Sequence, residues 1–320
     1  MRLRGIDFGP VLDASGVRGF FGEGYAHHGL WKPFGLRFKG STFVAKTTTF
    51  AARAGNMPLG DDLRPKHVKP ECVVVKFSRG VALNAVGLSG PGAKALFARG
   101  LWQRRVDPFF ISFMSVAPTM PERLAEVASF VTEFALHLPS FAAPVALQMN
   151  FSCPNVGVDH GAVVEEVSWS LRLASILGIP LVPKFNALLP MDAAVEISRL
   201  HHCDGLCVSN TLPWGALPDR IDWKGLFGSD TSPLAKFGGG GLSGAPLLPL
   251  VADWVAAARA TGICKPINAG GGILSARDAL TLLDAGADSV FIGSAAILRP
   301  WRVAGIIRRA RAAASNRPAA

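Results

Sequence analysis

The segment 150–155, with the sequence NFSCPN, holds the residues of this chain most suited to chemistry on a small ring. Cys153 precedes a proline in a predicted exposed turn, where a thiol can act as a base toward a carbon-bound proton or as a nucleophile. Asparagine amides pair donors with acceptors and match the edges of a cyclic imide or amide. Four asparagines fall at one predicted rim: Asn84, Asn150, Asn155 and Asn210. The pattern indicates a ring-binding site with a thiol beside it.

Lys46 and Lys184 each end an apolar, strand-like run, where a lysine is normally out of place. An ammonium that points into a ligand site can stabilise negative charge on an electron-rich ring or an enolate. The alternative is a surface lysine whose aliphatic stem covers apolar surface. We interpret both as functional lysines.

Two glycine-rich turns, NAGGGI at 268–273 and FIGSA at 291–295, follow the last two strand-like runs. Such turns leave backbone N–H groups free to bind an anion, and the second turn opens a helix whose dipole adds to the attraction. These turns occupy the position where barrel enzymes bind phosphate. They predict a phosphate site, for a cofactor or for a substrate, although the glycines could also serve only to permit tight turns.

The rest of the chain alternates between strand-like and helical segments. Apolar runs lie at 10–14, 43–46, 109–113, 145–150, 181–185, 205–209, 266–269 and 289–293. Helical periodicity appears at 121–138, 163–177, 191–201, 246–260, 276–285 and 300–314. Because eight apolar strands spaced by amphipathic helices favour a closed parallel sheet, we predict an α/β fold, a (β/α)8 TIM barrel. A doubly wound sheet is the alternative, but no G-x-G-x-x-G sequence follows the first strand.

Two insertions interrupt this alternation, near 50–100 and 211–245. The first contains a run that predicts a hairpin, and the second is rich in Gly, Pro and Trp. Each follows the end of a strand, so we expect both at the C-terminal face of the barrel, where long ordered loops form lids or ligand walls. Residues 1–320 are expected to form a single domain.

Composition limits the partners and the compartment. With 49% hydrophobic and 18% charged residues, the chain is not disordered, and its net charge of +10 suits small anionic ligands, nucleic acid or an anionic membrane surface. Five scattered cysteines and an N-terminus without an apolar leader predict a cytoplasmic, thiol-reduced protein. The His201, His202, Cys203 and Cys207 group straddles a helix end and a strand, so no metal site is predicted. No apolar run is long enough for an integral membrane segment.

Nine short motifs, in this order, resemble the dihydroorotate dehydrogenase family, flavin enzymes of pyrimidine biosynthesis whose (β/α)8 barrel holds FMN. The motifs are DASGV, FVAKTTT with GNMP after it, LNAVGL, NFSCPN, VPKF, VSNT, GGLSGAPL, NAGGGI and FIGSA. Each motif alone is weak, but together they cover nearly the whole chain.

The resemblance implies oxidation of dihydroorotate to orotate, with Cys153 as the base at C5 while hydride leaves C6 for flavin N5. A cysteine at this position is similar to the soluble class 1 enzymes, whereas the membrane-associated class 2 enzymes have serine. Lys184 would lie beside the flavin N1 side. The implied substrate-binding residues are Lys46, Asn84, Val86, Gly87, Leu88, Asn150, Asn155, Asn210 and Thr211. The implied FMN-binding residues are Ala14, Ser15, Gly16, Lys46, Thr47, Asn150, Lys184, Gly244, Gly271, Gly272, Gly293 and Ser294.

Departures from the family pattern leave alternatives open. The chain continues after NFSCPNV with GVDHGAVVEEV rather than a loop containing Pro-Gly-Lys, and NTLPWG places Trp214 near the substrate mouth. The other hypotheses are a dihydropyrimidine (uracil or thymine) oxidoreductase, an enzyme like the tRNA dihydrouridine synthases, and a flavin binder without catalysis. The dihydropyrimidine enzymes carry histidine at the position of Asn155 and append iron–sulfur domains.

The resemblance also bears on partners. It implies a homodimer that acts on a small anionic substrate. Fumarate is the expected electron acceptor, with NAD through a second subunit or a quinone as alternatives. No nucleic-acid partner is expected, because the basic residues do not alternate with exposed aromatics.

Overall fold

Seven parallel strands form the central sheet of the computed structural model, which describes residues 1–151 and 160–316. They are β1 (Val11–Asp13), β2 (Phe109–Phe113), β3 (Val145–Asn150), β4 (Leu181–Phe185), β5 (Leu206–Val208), β6 (Ile267–Ala269) and β7 (Ser289–Ile292). Their order in the sheet is β1-β7-β6-β5-β4-β3-β2, and every neighbouring pair is parallel. The predicted strand positions are therefore confirmed for seven of the eight runs.

The eighth run, predicted as a strand at 43–46, forms only single bridges to its neighbours. Thr42 pairs with Leu12 of β1, and Val44 pairs with Phe110 of β2. The ladder is interrupted because the Lys46 backbone N–H donates to the Gly19 carbonyl oxygen (2.9 Å) instead of to a strand. The segment nevertheless lies between β1 and β2 and completes the curled sheet, so the predicted (β/α)8 barrel is confirmed.

Helices surround the sheet, and all of them except Ala26–Trp31 bury one face. The long helices are Met120–His137, His160–Ala174, Met191–Arg199, Leu247–Ala260, Ala276–Asp284 and Val303–Ser315, and the shorter ones are Ala26–Trp31, Ala93–Ala98, Trp223–Phe227 and Ser294–Leu298. Met120–His137 shows why they form: Thr119 and Glu122 make a reciprocal capping box. Its buried Phe130 follows the helical period and stacks on Phe113 of β2, with ring centroids 4.0 Å apart.

The interior of the barrel is apolar at the amino-terminal ends of the strands and polar further along. Leu12, Val44, Phe110, Ala146, Val182, Cys207 and Phe291 form one buried cluster with Met1, Leu3 and Phe8 from the N-terminal turn. Ser112 and Gln148 are also buried, two residues further along β2 and β3 than Phe110 and Ala146. Because alternate residues of a strand share a face, this change from apolar to polar runs up the inside of the barrel toward the ligand-binding end.

The two insertions combine into a second, antiparallel sheet. Its strands, in spatial order, are Leu212–Pro213, Gly241–Gly244, Val81–Asn84 and Val73–Lys76. The last two form the predicted hairpin. Pairing of Gly241–Gly244 with Val81–Asn84 joins the insertions directly. Among the described residues, no helix is long and apolar enough to cross a membrane.

Candidate active site

A hydrogen-bonded polar group lies at the carboxyl ends of the first barrel strands. Asn150, 7% exposed, donates from Nδ2 to Ser112 Oγ (2.8 Å) and to Thr47 Oγ1 (3.2 Å). Thr47 Oγ1 in turn lies 2.8 Å from Ser15 Oγ. Within residues 1–151 and 160–316, Asn150 Oδ1 accepts no hydrogen bond. Its donor side is thus held by the barrel, and its carbonyl oxygen can receive a ligand N–H.

Lys46 is buried at the rim of the barrel. Its Nζ donates to the Ser89 carbonyl oxygen and lies 4.6 Å from the centroid of the Phe20 ring. Burial lowers the pKa of Lys46 to about 8, and the Glu23 carboxylate opposes the shift. At neutral pH this position therefore offers a poorly solvated cation beside the loop that follows the hairpin.

That loop contains the predicted Val86, Gly87 and Leu88. The Val86 carbonyl oxygen accepts from Asn56 N (2.8 Å), and Leu88 adopts a left-handed φ of 58°. Ser89, the next residue, is the one that Lys46 contacts. The structure therefore places Lys46 next to the end of the 86–88 loop.

Lys184 is the second buried cation, 6% exposed at the end of β4 and in register with Asn150. Its Nζ lies 5.1 Å from the Phe291 ring centroid. Burial lowers the pKa of Lys184, and Cys207, its neighbour in β5, opposes the shift. No residue in the described part of the chain accepts a hydrogen bond from its ammonium or pairs a carboxylate with it. Since a buried charge without a partner is unfavourable, this arrangement suits an anionic ligand group.

A cavity of about 300 Å³ opens between the barrel and the antiparallel sheet. Its lining residues are Asn56, Ala85, Gly87, Phe151, Asn186, Asn210, Thr211, Pro213, Phe237, Gly238, Gly240 and Gly241. Three of them, Gly87, Asn210 and Thr211, are predicted site residues. Asn84 reaches the same wall, because its Nδ2 lies 3.4 Å from the Gly241 carbonyl oxygen. Asn210 Oδ1 accepts from Thr211 N (3.0 Å), which orients its amide.

Asn186 is a cavity residue that the sequence analysis missed. It is 4% exposed, and its Oδ1 accepts from Leu188 N (2.9 Å). Its Nδ2 group donates to no residue in the described ranges. Its position two residues after Lys184 could have identified it in the sequence, because residues i and i+2 of a strand point to the same side.

The predicted FMN-binding residues near β1 lie together. Ala14 N donates to the Ile292 carbonyl oxygen (2.9 Å), which aligns the ends of β1 and β7. A Cβ built on Gly293 would lie 2.8 Å from the Ala14 Cβ, and one built on Gly16 would lie 3.4 Å from Lys46 Cγ. The ends of β1, β7 and the 43–46 run thus approach one another closely.

The other predicted glycines meet at the end of the antiparallel sheet. Gly272 has φ +73°, and a Cβ there would lie 2.6 Å from Leu248 N and 3.0 Å from the Gly244 carbonyl oxygen. Gly271 packs on Leu247, while Ser294 begins the helix that follows β7. The two glycine turns therefore follow neighbouring strands β6 and β7, as predicted for a phosphate site.

Cys153 and Asn155 lie outside the described residues, so their predicted roles rest on sequence. Asn150 and Phe151, the last described residues before this segment, are placed. Asn150 ends β3, and Phe151 lines the cavity and donates from its backbone N to the Lys184 carbonyl oxygen (2.9 Å).

Trp214 has a structural explanation within the second insertion. Its ring packs against Trp223 and Phe227, with centroids 4.7 and 5.2 Å away. Its backbone N donates to the Gly240 carbonyl oxygen (3.0 Å), and Gly240 lines the cavity. Trp214 thus anchors a cavity wall through packing.

Gly244→Ala is expected to lower the free energy of unfolding by about 2–4 kcal/mol, because φ is +113° and the new Cβ would lie 2.2 Å from the Gly80 carbonyl oxygen. Gly238→Ala is the matched control, since φ is +80° but no atom lies within 4 Å of its Cβ. It should cost about 1 kcal/mol. Urea denaturation measures both, and equal losses would show that the contact with Gly80 is unimportant.

The fold and this geometry define a (β/α)8 barrel protein with a ligand site at the carboxyl ends of its strands. The dihydroorotate dehydrogenase family model matches residues 2–311. This chain therefore belongs to the dihydroorotate dehydrogenase family.

Individual relatives agree with the family match. The chain is 31% identical over 307 residues to the catalytic subunit of dihydroorotate dehydrogenase B (NAD(+)) from Anoxybacillus flavithermus, covering 93% of this chain and 85% of the relative. It is also 31% identical over 306 residues to dihydroorotate dehydrogenase A (fumarate) from Lactobacillus helveticus, covering 92% and 86%. A crystal structure of dihydroorotate dehydrogenase from Eimeria tenella in complex with ferulenol superposes with a TM-score of 0.64 at 18% identity, covering 98% of this chain and 82% of that one. This last likeness concerns the fold alone.

Proposed function

We propose that this protein oxidises dihydroorotate to orotate in pyrimidine biosynthesis, with FMN as its bound cofactor. The observation that carries the proposal is the ammonium of Lys184, buried beside Asn150 with no anionic partner among the described residues. Family membership and the names of the relatives support it.

The residues present fit FMN. Lys184 offers a buried cation, Ser15 and Thr47 offer hydroxyl groups, and two glycine turns offer backbone N–H groups for a phosphate. The ring would be held by Ala14, Ser15, Gly16, Lys46, Thr47, Asn150, Lys184 and Gly244, and the phosphate by Gly271, Gly272, Gly293 and Ser294. Bound FMN supplies a two-electron acceptor for hydride.

The chain's own residues would bind the substrate and move its proton. Lys46 and the 86–88 loop would hold the carboxylate, and Asn84, Asn150, Asn155, Asn210 and Thr211 would bind the ring. The Cys153 thiolate would take the C5 proton as hydride leaves C6, so that a C5–C6 double bond forms. A positioned base and cationic stabilisation are both needed, because a C5 proton is only weakly acidic.

The test is steady-state turnover with an artificial electron acceptor, comparing dihydroorotate with dihydrouracil, which lacks the carboxylate. Preference for dihydroorotate supports a carboxylate site at Lys46. Preference for dihydrouracil would instead favour the dihydropyrimidine oxidoreductase alternative.

We further propose fumarate as the electron acceptor and a cytoplasmic homodimer of single-domain subunits. The fumarate-linked and NAD(+)-linked relatives are both 31% identical to this chain, so identity does not choose between acceptors. Turnover measured with fumarate or with NAD(+) as the only electron acceptor identifies the acceptor. Sedimentation velocity tests whether the protein is a homodimer.

Binding of orotate is expected to weaken above pH 8. The folded-state pKa of Lys46 is lowered to about 8, so its cation is present below that pH and is lost as the pH rises through it. The dissociation constant should rise up to about tenfold per pH unit above 8. Titration of the FMN-loaded protein with orotate measures this, and Lys46→Met should bind weakly without the inflection. An inflection that persists in Lys46→Met would assign it to another group.

Asn186→Asp is expected to raise KM for dihydroorotate at least about tenfold. Aspartate keeps the oxygen that accepts from Leu188 N but replaces the N–H donor with a negative charge facing an anionic substrate. The added charge at this buried position should lower the unfolding free energy. FMN content should change little, which separates the effect on substrate binding from misfolding. An unchanged KM would remove Asn186 from the substrate site.

A further inference from the structure

Five large apolar side chains are exposed on segments that contact one another. Their exposed fractions are 67% for Leu30, 65% for Phe34, 58% for Phe77, 40% for Ile297 and 46% for Trp301. They come from three separate parts of the chain: the segment after β1, the hairpin of the first insertion, and the segment after β7.

Contacts among these segments make them one surface. The Trp31 ring lies 5.6 Å from that of Trp301 and 6.0 Å from that of Phe34. Arg299 Nη2 donates to the Phe77 carbonyl oxygen (3.0 Å), and its guanidinium lies 6.0 Å from the Trp301 ring centroid. We call this surface, with the cations described next, the aromatic–cationic face.

The three segments that form the aromatic–cationic face carry charge of one sign only. Segments 26–40, 73–80 and 294–311 contain no Asp or Glu. Their ten cationic residues are Lys32, Arg37, Lys39, Lys76, Arg79, Arg299, Arg302, Arg308, Arg309 and Arg311. The net charge of the whole chain is +10, so these three segments carry all of the excess. Arg311 Nη1 donates to the Gly40 carbonyl oxygen (2.8 Å), which ties the last helix to this face.

We propose that the aromatic–cationic face docks peripherally on an anionic lipid bilayer. Trp and Phe rings favour the membrane interface, Leu30 and Ile297 can enter the acyl boundary, and the surrounding cations attract anionic headgroups. The helix Ser294–Leu298, which contains Ile297, begins at the predicted phosphate turn. Docking would therefore place the mouth of the barrel close to the membrane surface.

Two other occupants of this face are less favourable than a bilayer. In a symmetric dimer through this face, the cations of one copy would oppose the same cations of the other, which repels. A nucleic acid would use the cations and could stack on the aromatic rings, but it gives Leu30 and Ile297 no role.

Cosedimentation with vesicles tests the proposal and does not depend on the proposed reaction. The FMN-loaded protein is mixed with phosphatidylcholine vesicles, with or without phosphatidylglycerol. It should sediment only with the anionic vesicles, and salt should release it. The triple variant Leu30→Ser, Phe34→Ser and Trp301→Ser should bind at least about tenfold more weakly.

The matched control is the triple variant Leu136→Ser, Trp169→Ser and Ile176→Ser, whose parent side chains are 73%, 44% and 72% exposed on another surface. A second pair keeps the test valid if a triple variant misfolds. Arg308→Glu with Arg309→Glu should abolish binding, while Arg104→Glu with Arg199→Glu, the same change in net charge, should weaken it much less.

Loss of binding only in the variants of the aromatic–cationic face supports the proposal. No sedimentation of the wild-type protein with anionic vesicles at low salt would overturn it, as would equal binding by all variants. Self-association that only the Leu30, Phe34 and Trp301 variant abolishes, without vesicle binding, would identify the face as a contact between copies of this chain.

Discussion

Replacing Cys153 by alanine is expected to lower kcat for dihydroorotate oxidation by about 10²–10⁴-fold, the usual contribution of a general base. The reason is that the C5 proton then has no positioned acceptor, while hydride transfer still requires its removal. FMN content should stay the same, because Cys153 is not among the predicted FMN-binding residues. Single-turnover reduction of the flavin by dihydroorotate measures the chemical step directly.

Cys264→Ala is the control for this variant. Cys264 is an exposed free cysteine, so its loss should not change turnover. Cys153→Ser is informative as well, because class 2 enzymes use serine at the matching position. Wild-type turnover in Cys153→Ala would rule out the thiol as the base.

Replacing Lys184 by methionine is expected to have opposite effects on stability and activity. In the protein stripped of FMN, unfolding free energy at pH 7 should rise by about 1–3 kcal/mol, because a buried cation without a partner is replaced by an apolar group of similar length. Turnover should fall by about 10²-fold, because a cation at the proposed flavin site is lost.

The pH dependence identifies the cause of this stabilisation. The pKa of Lys184 is lowered by burial from its ordinary value of 10.5, so the unfolded chain binds the proton more readily than the folded one. The gain from methionine should therefore be present at neutral pH and disappear as the pH rises above 10.5. Urea denaturation at pH 7 and above pH 10.5 measures this gain in stability. Lys94→Met is the control, because Lys94 is exposed. A loss of stability at pH 7 would show that the lysine is paired in the folded protein.

The barrel was predictable because its strands are uniformly buried. The runs at 109–113, 145–150 and 181–185 match β2, β3 and β4 in full, since every residue of these strands is buried. The run at 43–46 shows the limit, because a long-range hydrogen bond from Lys46 N to Gly19 decides its geometry. Pairing between the two insertions was not predicted, because strands about 160 residues apart carry no local signal of their partner.

The candidate site was predictable where a polar residue ends an apolar run. Lys46, Lys184 and Asn150 stood out for this reason, and the structure places them at the same end of the barrel. Asn186 was missed because it lies one residue beyond β4, outside the apolar run that drew attention to Lys184. Ser112 was missed because a single small polar residue inside a strand resembles an ordinary core position, yet it binds Asn150.

An anaerobic visible spectrum of the purified protein, before and after addition of dihydroorotate, tests the central proposal most directly. The proposal predicts a bound flavin that is bleached by dihydroorotate and not by dihydrouracil. A bound flavin that stays oxidised would support the proposed cofactor but contradict dihydroorotate as the substrate. A colourless protein that cannot be reconstituted with FMN would contradict the proposed function as a whole.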